Sequence, residues 1–305
     1  MNKTELLQLV DNLDFPKAEF YIHSESSLLL CSLIEFTDKL NIYVTETLLG
    51  NLKIKYLTDL VLLENNNYSL FENIEIMLIN DTVTNLENVD GFQIEPFDKV
   101  INYYISEYNN KNKININKLK DFIKIKNPIT LSKYMQDNIS YFWNDNKNNK
   151  RNDFNETLYY DYSLMTPIET IVHQYGICVD QVELERMWFN LRGFNFKTIC
   201  IQVIRDNDCP GHVLLIYEDG ENWYWFENAW YDMRGIHKYD NFKSCIDSIT
   251  NKFIIQNNIT NDQLSGIEIY EYSKYPFHSN YEMMDKYSTE TKCRKFLKII
   301  KEDER

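Results

Sequence analysis

The chain has 305 residues, with 46 acidic and 32 basic side chains and a formal net charge of −14. A chain of this length is typical of two domains that each bury a core of their own. The acidic balance excludes a typical nucleic-acid-binding protein, because such proteins need a basic face to displace counterions from phosphates.

Cysteine spacing and hydropathy exclude several further classes of protein. The six cysteines are scattered along the chain and form no Cys-x-x-Cys pair: Cys31, Cys178, Cys200, Cys209, Cys245 and Cys293. This spacing is not that of a disulfide scaffold. Cys209 and His212 have the spacing of metal ligands, but no second pair completes a set of four ligands, so no metal is expected. No other cofactor is expected either. No apolar run approaches a membrane span, and the N-terminus carries no cleavable signal. We therefore expect a cytoplasmic protein without membrane contacts, whose oligomeric state the sequence leaves open.

Residues 1–127 are predicted to form an α/β domain, because apolar residues alternate at strand spacing in some segments and recur at helical spacing in others. The expected elements are a helix over 5–13, a strand over 18–22, a turn over 23–27, a helix beginning at Leu28, strands over 39–44, 60–63, 68–71 and 74–79, and helices over 96–108 and 118–125. The Asn- and Lys-rich run over 109–113 lacks apolar periodicity and predicts a solvated loop.

The order of strand, serine-rich turn and helix, followed by Thr37-x-x-Leu40-x-Ile42-Tyr43-Val44, resembles the nucleotidyltransferase fold of the antitoxin- and antibiotic-modifying kind. In active members of that family a Gly-Ser turn binds the nucleotide phosphate, and an Asp-x-Asp pair on the next strand holds two magnesium ions. Here the turn lacks glycine, and the Asp-x-Asp positions carry Lys39 and Asn41, which do not replace two carboxylates. Glu75 matches a third acid. The resemblance implies a domain that has lost nucleotide transfer and serves as a scaffold or binding module.

A second domain, α+β with an antiparallel sheet, is predicted for residues 128–305. Pro128 disfavours helix at the residue before it, and a new amphipathic helix is expected over 130–143. Thr166-Pro167-Ile168-Glu169 combines a capping residue, a proline at the first helical position and a glutamate at the third, so a short helix begins there. That helix leads the chain to Gly176.

Gly176-Ile177-Cys178-Val179-Asp180 predicts a helix that begins near Cys178. Glycine marks a break, the following apolar residues recur at helical spacing, and carboxylates occupy the first turn, where they favour the positive end of the helix dipole. Cys178 is therefore expected at a helix N-terminus, where unpaired N–H groups stabilise a thiolate nucleophile.

A β-hairpin is predicted about thirty residues later. Gly211-His212 opens an apolar, β-branched run, an acidic Asp-Gly turn follows, and the partner strand runs from Trp223 to Glu227. His212 at the start of one strand and Glu227 at the end of the next are expected to lie side by side. A carboxylate beside a histidine fixes its tautomer and supports the imidazolium formed when a cysteine loses its proton.

This sequence of motifs, over roughly residues 130–277, resembles the transglutaminase-like cysteine superfamily, whose fold is related to that of papain-like enzymes. The family pattern implies Cys178 as nucleophile, His212 as base and the Glu227 position as the orienting acid. That position is normally aspartate, so Glu227 departs from the pattern. Asn228 is a second candidate for the orienting role, because related cysteine peptidases use an amide there.

The remaining segments complete the predicted second domain. A strand over 197–204 is expected beside the hairpin, a loop over 206–210 at an entrance to the site, a helix over 241–253, a strand over 267–272 and a polar tail that is helical at its end. His237 is a competing base on sequence alone, but it is expected in a loop without a strand partner, so His212 is preferred.

The predicted function is cysteine-dependent acyl transfer or hydrolysis on a carboxamide or peptide bond, with a protein, peptide or amide substrate. The oxyanion would be held by the Cys178 backbone N–H and by a second donor that the sequence does not identify. Water as acceptor makes the protein an amidase, deamidase or peptidase, and an amine makes it a transferase. Two alternatives are a non-catalytic protein-binding module built from two inactive folds and an active nucleotidyltransferase of a toxin–antitoxin or resistance type.

Overall fold

The computed structural model describes residues 1–31, 37–63, 67–71, 73–79, 86–89, 91–96, 99–100, 102–103, 116–154, 157–203 and 210–299. The chain divides into two compact units, Met1–Ile123 and Lys124–Arg305. The division falls close to the boundary expected at residues 127 and 128. Helices and antiparallel strand pairs occur together, so the fold class is α+β. Within the described parts of the chain, every helix is too short or too polar to cross a bilayer.

The first unit is built on one mixed sheet. Its described helices are α1 (Lys3–Leu13), α2 (Ser24–Leu30), α3 (Glu46–Lys55) and α4 (Ile116–Ile123). Its strands are β1 (Phe20–Ile22), β2 (Leu40–Val44), β3 (Leu60–Leu62), β4 (Tyr68–Leu70), β5 (Ile74–Leu78), β6 (Glu87–Val89) and β7 (Phe92–Ile94). The strand order is β3-β4-β5-β2-β1-β7-β6, in which β1 runs antiparallel to β2 and β2 runs parallel to β5.

Some elements of the first unit differ from the expectation. The segment 23–27 is not a turn, because α2 begins at Ser24 and the buried hydroxyl of Ser27 donates to the carbonyl of Ile22. The sequence patterns predict neither α3 nor the β6–β7 hairpin. The strands β6 and β7 have three residues each, which is too short for the alternation of a strand to show. The helix expected over 96–108 and the loop over 109–113 lie mostly outside the described residues, although 99–100 and 102–103 are helical.

The second unit carries a six-stranded antiparallel sheet. Its helices are α5 (Pro128–Asn138), α6 (Thr157–Asp161), α7 (Pro167–His173), α8 (Cys178–Leu191), α9 (Phe242–Gln256) and α10 (Tyr281–Thr291). Its strands are β8 (Trp143–Asn144), β9 (Lys150–Arg151), β10 (Asn195–Val203), β11 (Gly211–Asp219), β12 (Asn222–Glu227), β13 (Gly235–Tyr239), β14 (Ile267–Tyr272) and β15 (Arg294–Ile299). The sheet has the order β13-β12-β11-β10-β14-β15, and β8 and β9 form a separate two-stranded pair.

Side chains on the two faces of this sheet form separate apolar clusters. One contains Val179 and Val182 of α8 with Cys200 of β10, and the other contains Ile249 of α9 with Ile199 of β10. Successive residues of a strand point to opposite faces, so β10 supplies both clusters. The sheet therefore has α8 on one face and α9 on the other.

The hairpin of β11 and β12 closes in two residues. Asp219 pairs with Asn222, and Gly220 has a φ of +63°, which the first central position of a tight hairpin turn requires. Continuing the register by one pair from Leu215 and Phe226 places Glu227 opposite Leu214, so Glu227 is a diagonal neighbour of His212. The turn thus brings the first residues of β11 beside the last residues of β12.

Three expectations for the second unit are wrong. The helix expected over 130–143 ends at Asn138, and Trp143 belongs to β8. The described part of the polar tail is helical at its start and extended after it, because α10 stops at Thr291 and residues 294–299 add β15 to the edge of the sheet beside β14. Residues 300–305 lie outside the described residues. His237 does not lie in a loop, because it belongs to β13 and pairs with Trp225 of β12.

Candidate active site

Cys178 is the first residue of α8, which confirms the predicted helix start. Backbone N–H groups at this position have no partner inside the helix. The N–H of Ile177 donates to Asp180 Oδ2 at 2.9 Å, so the carboxyl group of Asp180 caps the helix start by a hydrogen bond. Cys178 is 8% exposed and lines a cavity, which gives a small substrate a route to the sulfur.

Asp180 connects the start of α8 to the segment that precedes α7. Its Oδ1 accepts hydrogen bonds from the Tyr162 hydroxyl at 2.7 Å and from the Met165 N–H at 2.9 Å. Burial raises the pKa of Asp180 to about 7, against the opposing effect of these hydrogen bonds. The carboxyl group of Asp180 is therefore a structural anchor in the first turn of α8, two residues after Cys178.

Gly176 has no room for a side chain. A Cβ built there would lie 2.6 Å from Cβ of Asp180, closer than real Cβ atoms approach. Gly176→Ala is expected to shift the start of α8, to lower the free energy of unfolding by about 1–3 kcal/mol, and to slow alkylation of Cys178.

Urea unfolding followed by tryptophan fluorescence measures the stability effect of Gly176→Ala. Gly50→Ala in α3 is a control for the added methyl group, because a Cβ there has no atom within 4 Å. Its unfolding is followed by far-UV circular dichroism, because Gly50 lies in the first unit and all five tryptophans lie in the second. An unchanged unfolding midpoint in Gly176→Ala would show that the start of α8 tolerates the methyl group. The close approach of Asp180 would then not be the reason that residue 176 is a glycine.

The imidazole of His212 is held by Glu227. The distance from His212 Nε2 to Glu227 Oε2 is 2.8 Å, and both side chains are almost fully buried. Glu227 Oε2 also accepts from Trp225 Nε1 at 3.1 Å, and its Oε1 accepts from the Trp230 N–H at 2.7 Å. The ring of Trp230 packs edge-on against the imidazole, with the ring centroids 5.4 Å apart. The carboxylate and the indole together fix the plane of the imidazole ring.

The charge state of His212 follows from these contacts. Burial lowers its pKa, but the Glu227 carboxylate and hydrogen bonds to Cys178 and Glu227 outweigh burial and raise the pKa to about 10. His212 is therefore an imidazolium at neutral pH, and Nε2–H donates to Glu227. Because Nε2 is engaged there, Nδ1 is the ring nitrogen that remains for the thiol of Cys178.

Asn228, the second candidate for orienting His212, binds Gln181 instead. Its Nδ2 donates to Gln181 Oε1 at 2.6 Å, and Gln181 Nε2 donates to the Gly176 carbonyl at 2.8 Å. The hydrogen bond to His212 is made by Glu227. Asn228 thus ties the end of β12 to the backbone just before Cys178, and Glu227 occupies the orienting position.

A cavity of about 440 Å³ opens onto the Cys178 sulfur and His212. Six aromatic side chains line much of it: Tyr141, Phe154, Tyr159, Tyr270, Tyr275 and Tyr281. Asp285 and Arg294 also line it and form an ion pair with N–O distance 2.7 Å. Its shape and lining are those of a ligand site, mostly apolar with few polar groups.

Sequence reasoning missed Glu185, which lies two helical turns after Cys178 on the same face of α8. The side chain is buried, and its Oε2 has no hydrogen-bond partner within the described structure. Burial and the nearby charge of Glu227 raise the pKa of Glu185 well above its usual range. The seven-residue spacing from Cys178 is the signal that identifies it.

Two other sequence candidates do not join the site. His237 Nε2 lies 2.7 Å from the Met233 carbonyl, and its ring packs against Trp225. It is not among the residues that line the Cys178 cavity. Cys209 and the entrance loop expected over 206–210 lie outside the described residues, apart from Pro210.

The first unit has a separate cavity of about 350 Å³. Lys39, Asn41 and Glu75, the positions compared with nucleotidyltransferase carboxylates, line it together with His23 and Ser24. Burial lowers the pKa of His23 to about 3, so this histidine is neutral. Within the described residues, no three His, Cys, Asp or Glu side chains converge as a metal site.

Comparison of the chain with protein-family models, with curated proteins and with solved structures finds no match.

Proposed function

We propose that the protein catalyses cysteine-dependent acyl transfer or hydrolysis at a carboxamide or peptide bond. The observation that carries this proposal is the 2.8 Å contact of His212 Nε2 with Glu227, in a cavity that Cys178 also lines from the first residue of a helix. A nucleophile, a base and an orienting acid from three elements share one cavity. The resemblance of the second unit to transglutaminase-like proteins supports the same chemistry.

The reaction follows from this arrangement. The proton of the Cys178 thiol resides on His212, and the thiolate attacks the carbonyl carbon, so that the S–C bond forms and the carbonyl π electrons move to oxygen. The tetrahedral intermediate collapses, the C–N bond breaks, and His212 returns the proton to the leaving ammonia or amine. Water or an incoming amine then attacks the thioester carbonyl and gives a proton to His212, and the S–C bond breaks, which restores the thiolate and the imidazolium. The substrate is a protein, peptide or smaller amide.

For the first unit we propose a scaffold or binding role on a nucleotidyltransferase-like fold. Lys39 and Asn41 stand where that family carries its metal-binding carboxylates, and lysine does not bind magnesium. The cavity around them offers polar groups of both charges. Nucleotide transfer is therefore not the activity we assign to this chain.

Selective alkylation tests the proposed ion pair. At pH 6.5, where an ordinary thiol is only about 1% thiolate, iodoacetamide is expected to label Cys178 at least about tenfold faster than Cys293. Cys293 is the internal control because it is more exposed than Cys178. Peptide mass spectrometry over a time course measures both rates in the same sample.

The variant His212→Ala removes the proton acceptor and leaves the cavity open. Its Cys178 is expected to lose the advantage over Cys293 at pH 6.5 and to regain reactivity only as the pH rises. If Cys178 in the unaltered protein reacts no faster than Cys293, or reacts equally fast in His212→Ala, the ion pair does not exist and the proposed function fails.

A further inference from the structure

Tyr141 reaches Cys178 from a distant part of the chain. The preceding residue, Ser140, accepts from the Gly176 N–H at 3.0 Å and donates its own N–H to the Gln174 carbonyl at 2.9 Å. These bonds hold the segment after α5 beside the segment before α8. The Tyr141 ring stacks on Phe154, with the ring centroids 5.6 Å apart, at the outer side of the cavity.

The hydroxyl of Tyr141 lies close to Cys178. Tyr141, Cys178 and His212 line the same cavity. The side chain and the backbone N–H of Cys178 both act on the pKa of the Tyr141 hydroxyl, which places this oxygen near the sulfur and the start of α8. The residue as a whole is 39% exposed, so it stands at the open side of the cavity.

A hydroxyl beside the sulfur and the backbone N–H of the nucleophile can stabilise the oxyanion that forms in acyl transfer. When a thiolate attacks a carbonyl, the carbonyl oxygen becomes negative and is stabilised by donors placed about 2.7–3.1 Å from it. One donor is the backbone N–H of the nucleophile, which α8 leaves without an intrahelical partner. A second donor must approach the same point without blocking the sulfur. Tyr141 is the hydroxyl in this cavity on which both the side chain and the backbone N–H of Cys178 act.

We propose that Tyr141 is a catalytic residue that supplies the second oxyanion donor; this inference rests on the proposed acyl-transfer function. In the resting site its O–H bonds the sulfur. When the S–C bond forms, the sulfur loses its negative charge and becomes a poor acceptor, and the O–H turns to the new oxyanion. The substrate oxygen takes over the Cys178 N–H. Tyr141 keeps its proton throughout, and the proton for the leaving amine comes from His212.

The electrostatic surroundings suit a hydroxyl that donates and does not ionise. Burial, followed by the charge on Cys178, raises the pKa of Tyr141 well above its usual range. The phenol is therefore protonated at every pH at which the cysteine site operates. Tyr281 also lies in the cavity, but its interaction with Cys178 in the described structure is electrostatic, without a hydrogen bond.

Two probes that differ in one feature test the proposal on the full chain. Iodoacetamide alkylates the thiolate without forming an oxyanion, whereas p-nitrophenyl acetate acylates it through a tetrahedral oxyanion. Tyr141→Phe is expected to lower the ratio of acylation rate to alkylation rate at Cys178 by about 10²-fold, the usual effect of removing one oxyanion donor. Tyr224→Phe is the matched control, because Tyr224 lies on β12, stacks on Tyr217 and does not line the cavity; it is expected to change that ratio by less than about twofold.

The outcomes distinguish the role of Tyr141 from the acyl-transfer function on which it rests. If Tyr141→Phe changes both rates by the same factor, Tyr141 acts on the thiol alone and the oxyanion role is wrong, while the proposed function stands. If acylation and alkylation of Cys178 both become faster in Tyr141→Phe, the oxyanion role is likewise excluded, and Tyr141 restricts access to the sulfur. If Cys178 of the unaltered protein reacts selectively with neither probe, the proposed function and the role of Tyr141 both fail.

Discussion

Glu227→Gln is expected to slow acylation of Cys178 at neutral pH by about 10²–10⁴-fold, the range over which a positioned base and its orienting acid contribute. Glutamine keeps the shape of the side chain but removes the charge opposite His212 Nε2. The carboxylate also accepts from Trp225 and Trp230, so the substitution disturbs the wall that orients the imidazole. Release of p-nitrophenol from p-nitrophenyl acetate measures the rate.

The pH profile separates loss of charge from loss of shape. In the unaltered protein, the pKa of His212 is raised to about 10, so the imidazolium and the ion pair persist at neutral pH and are lost as the pH rises through about 10. The stability that this group contributes is fully present below its ordinary pKa of about 6.5 and is lost over the same rise. In Glu227→Gln, the alkaline limb of the rate profile is expected to move to lower pH.

Glu271→Gln is a matched control for that experiment. Glu271 lies on the same sheet in an ion pair with Lys197, at an N–O distance of 2.9 Å, and it does not line the Cys178 cavity. The control is expected to leave both the rate and the alkaline limb unchanged. An alkaline limb that stays in place in Glu227→Gln would contradict the assignment of Glu227 as the group that sets the charge of His212.

Asp180→Ala is expected to lower the free energy of unfolding of the second unit by about 3–5 kcal/mol, which is among the largest effects of a single substitution. The change leaves the Tyr162 hydroxyl and the N–H groups of Met165 and Ile177 buried without an acceptor. All five tryptophans lie after residue 140, so their fluorescence during urea unfolding reports on this unit alone.

The matched variant Asp180→Asn adds a test by pH. Because the folded-state pKa of Asp180 is raised to about 7, ionisation of this carboxyl costs stability as the pH rises from about 4 to 7. The amide does not ionise, so the stability difference between the unaltered protein and Asp180→Asn is expected to shrink over that interval. A difference that is constant with pH, or a loss below about 1 kcal/mol in Asp180→Ala, would rule out Asp180 as the anchor of α8.

Local patterns predicted the parts of the candidate site that depend on neighbours in sequence. Thr166, Pro167 and Glu169 start α7 with a capping box, because each group finds its partner within three residues. Cys178 begins α8 for the same reason. The two-residue turn at Gly220 sets the register of the hairpin, and the register places His212 diagonal to Glu227.

Contacts between distant segments were not accessible to the same reasoning. Asn228 and Glu227 are adjacent and both fit the orienting role on sequence, but only the position of Gln181 on α8 decides that the amide turns away from His212. Residues 294–299 follow a polar helix and were expected to be helical. They form the edge strand β15 because their backbone pairs with β14, a contact between segments that local patterns do not show. Tyr141 lies far upstream of Cys178 and carries no motif.

The sequence by itself determined where Cys178, His212 and Glu227 stand on their helix and hairpin, because helix caps and tight turns are decided by residues a few positions apart. Only the tertiary structure decided that Glu227 and not Asn228 holds the imidazole, that a buried Glu185 lies on the same helix face as Cys178, and that Tyr141 from another segment lines the cavity of Cys178. Those features arise when separate elements pack on one sheet, and packing depends on contacts that no local pattern encodes.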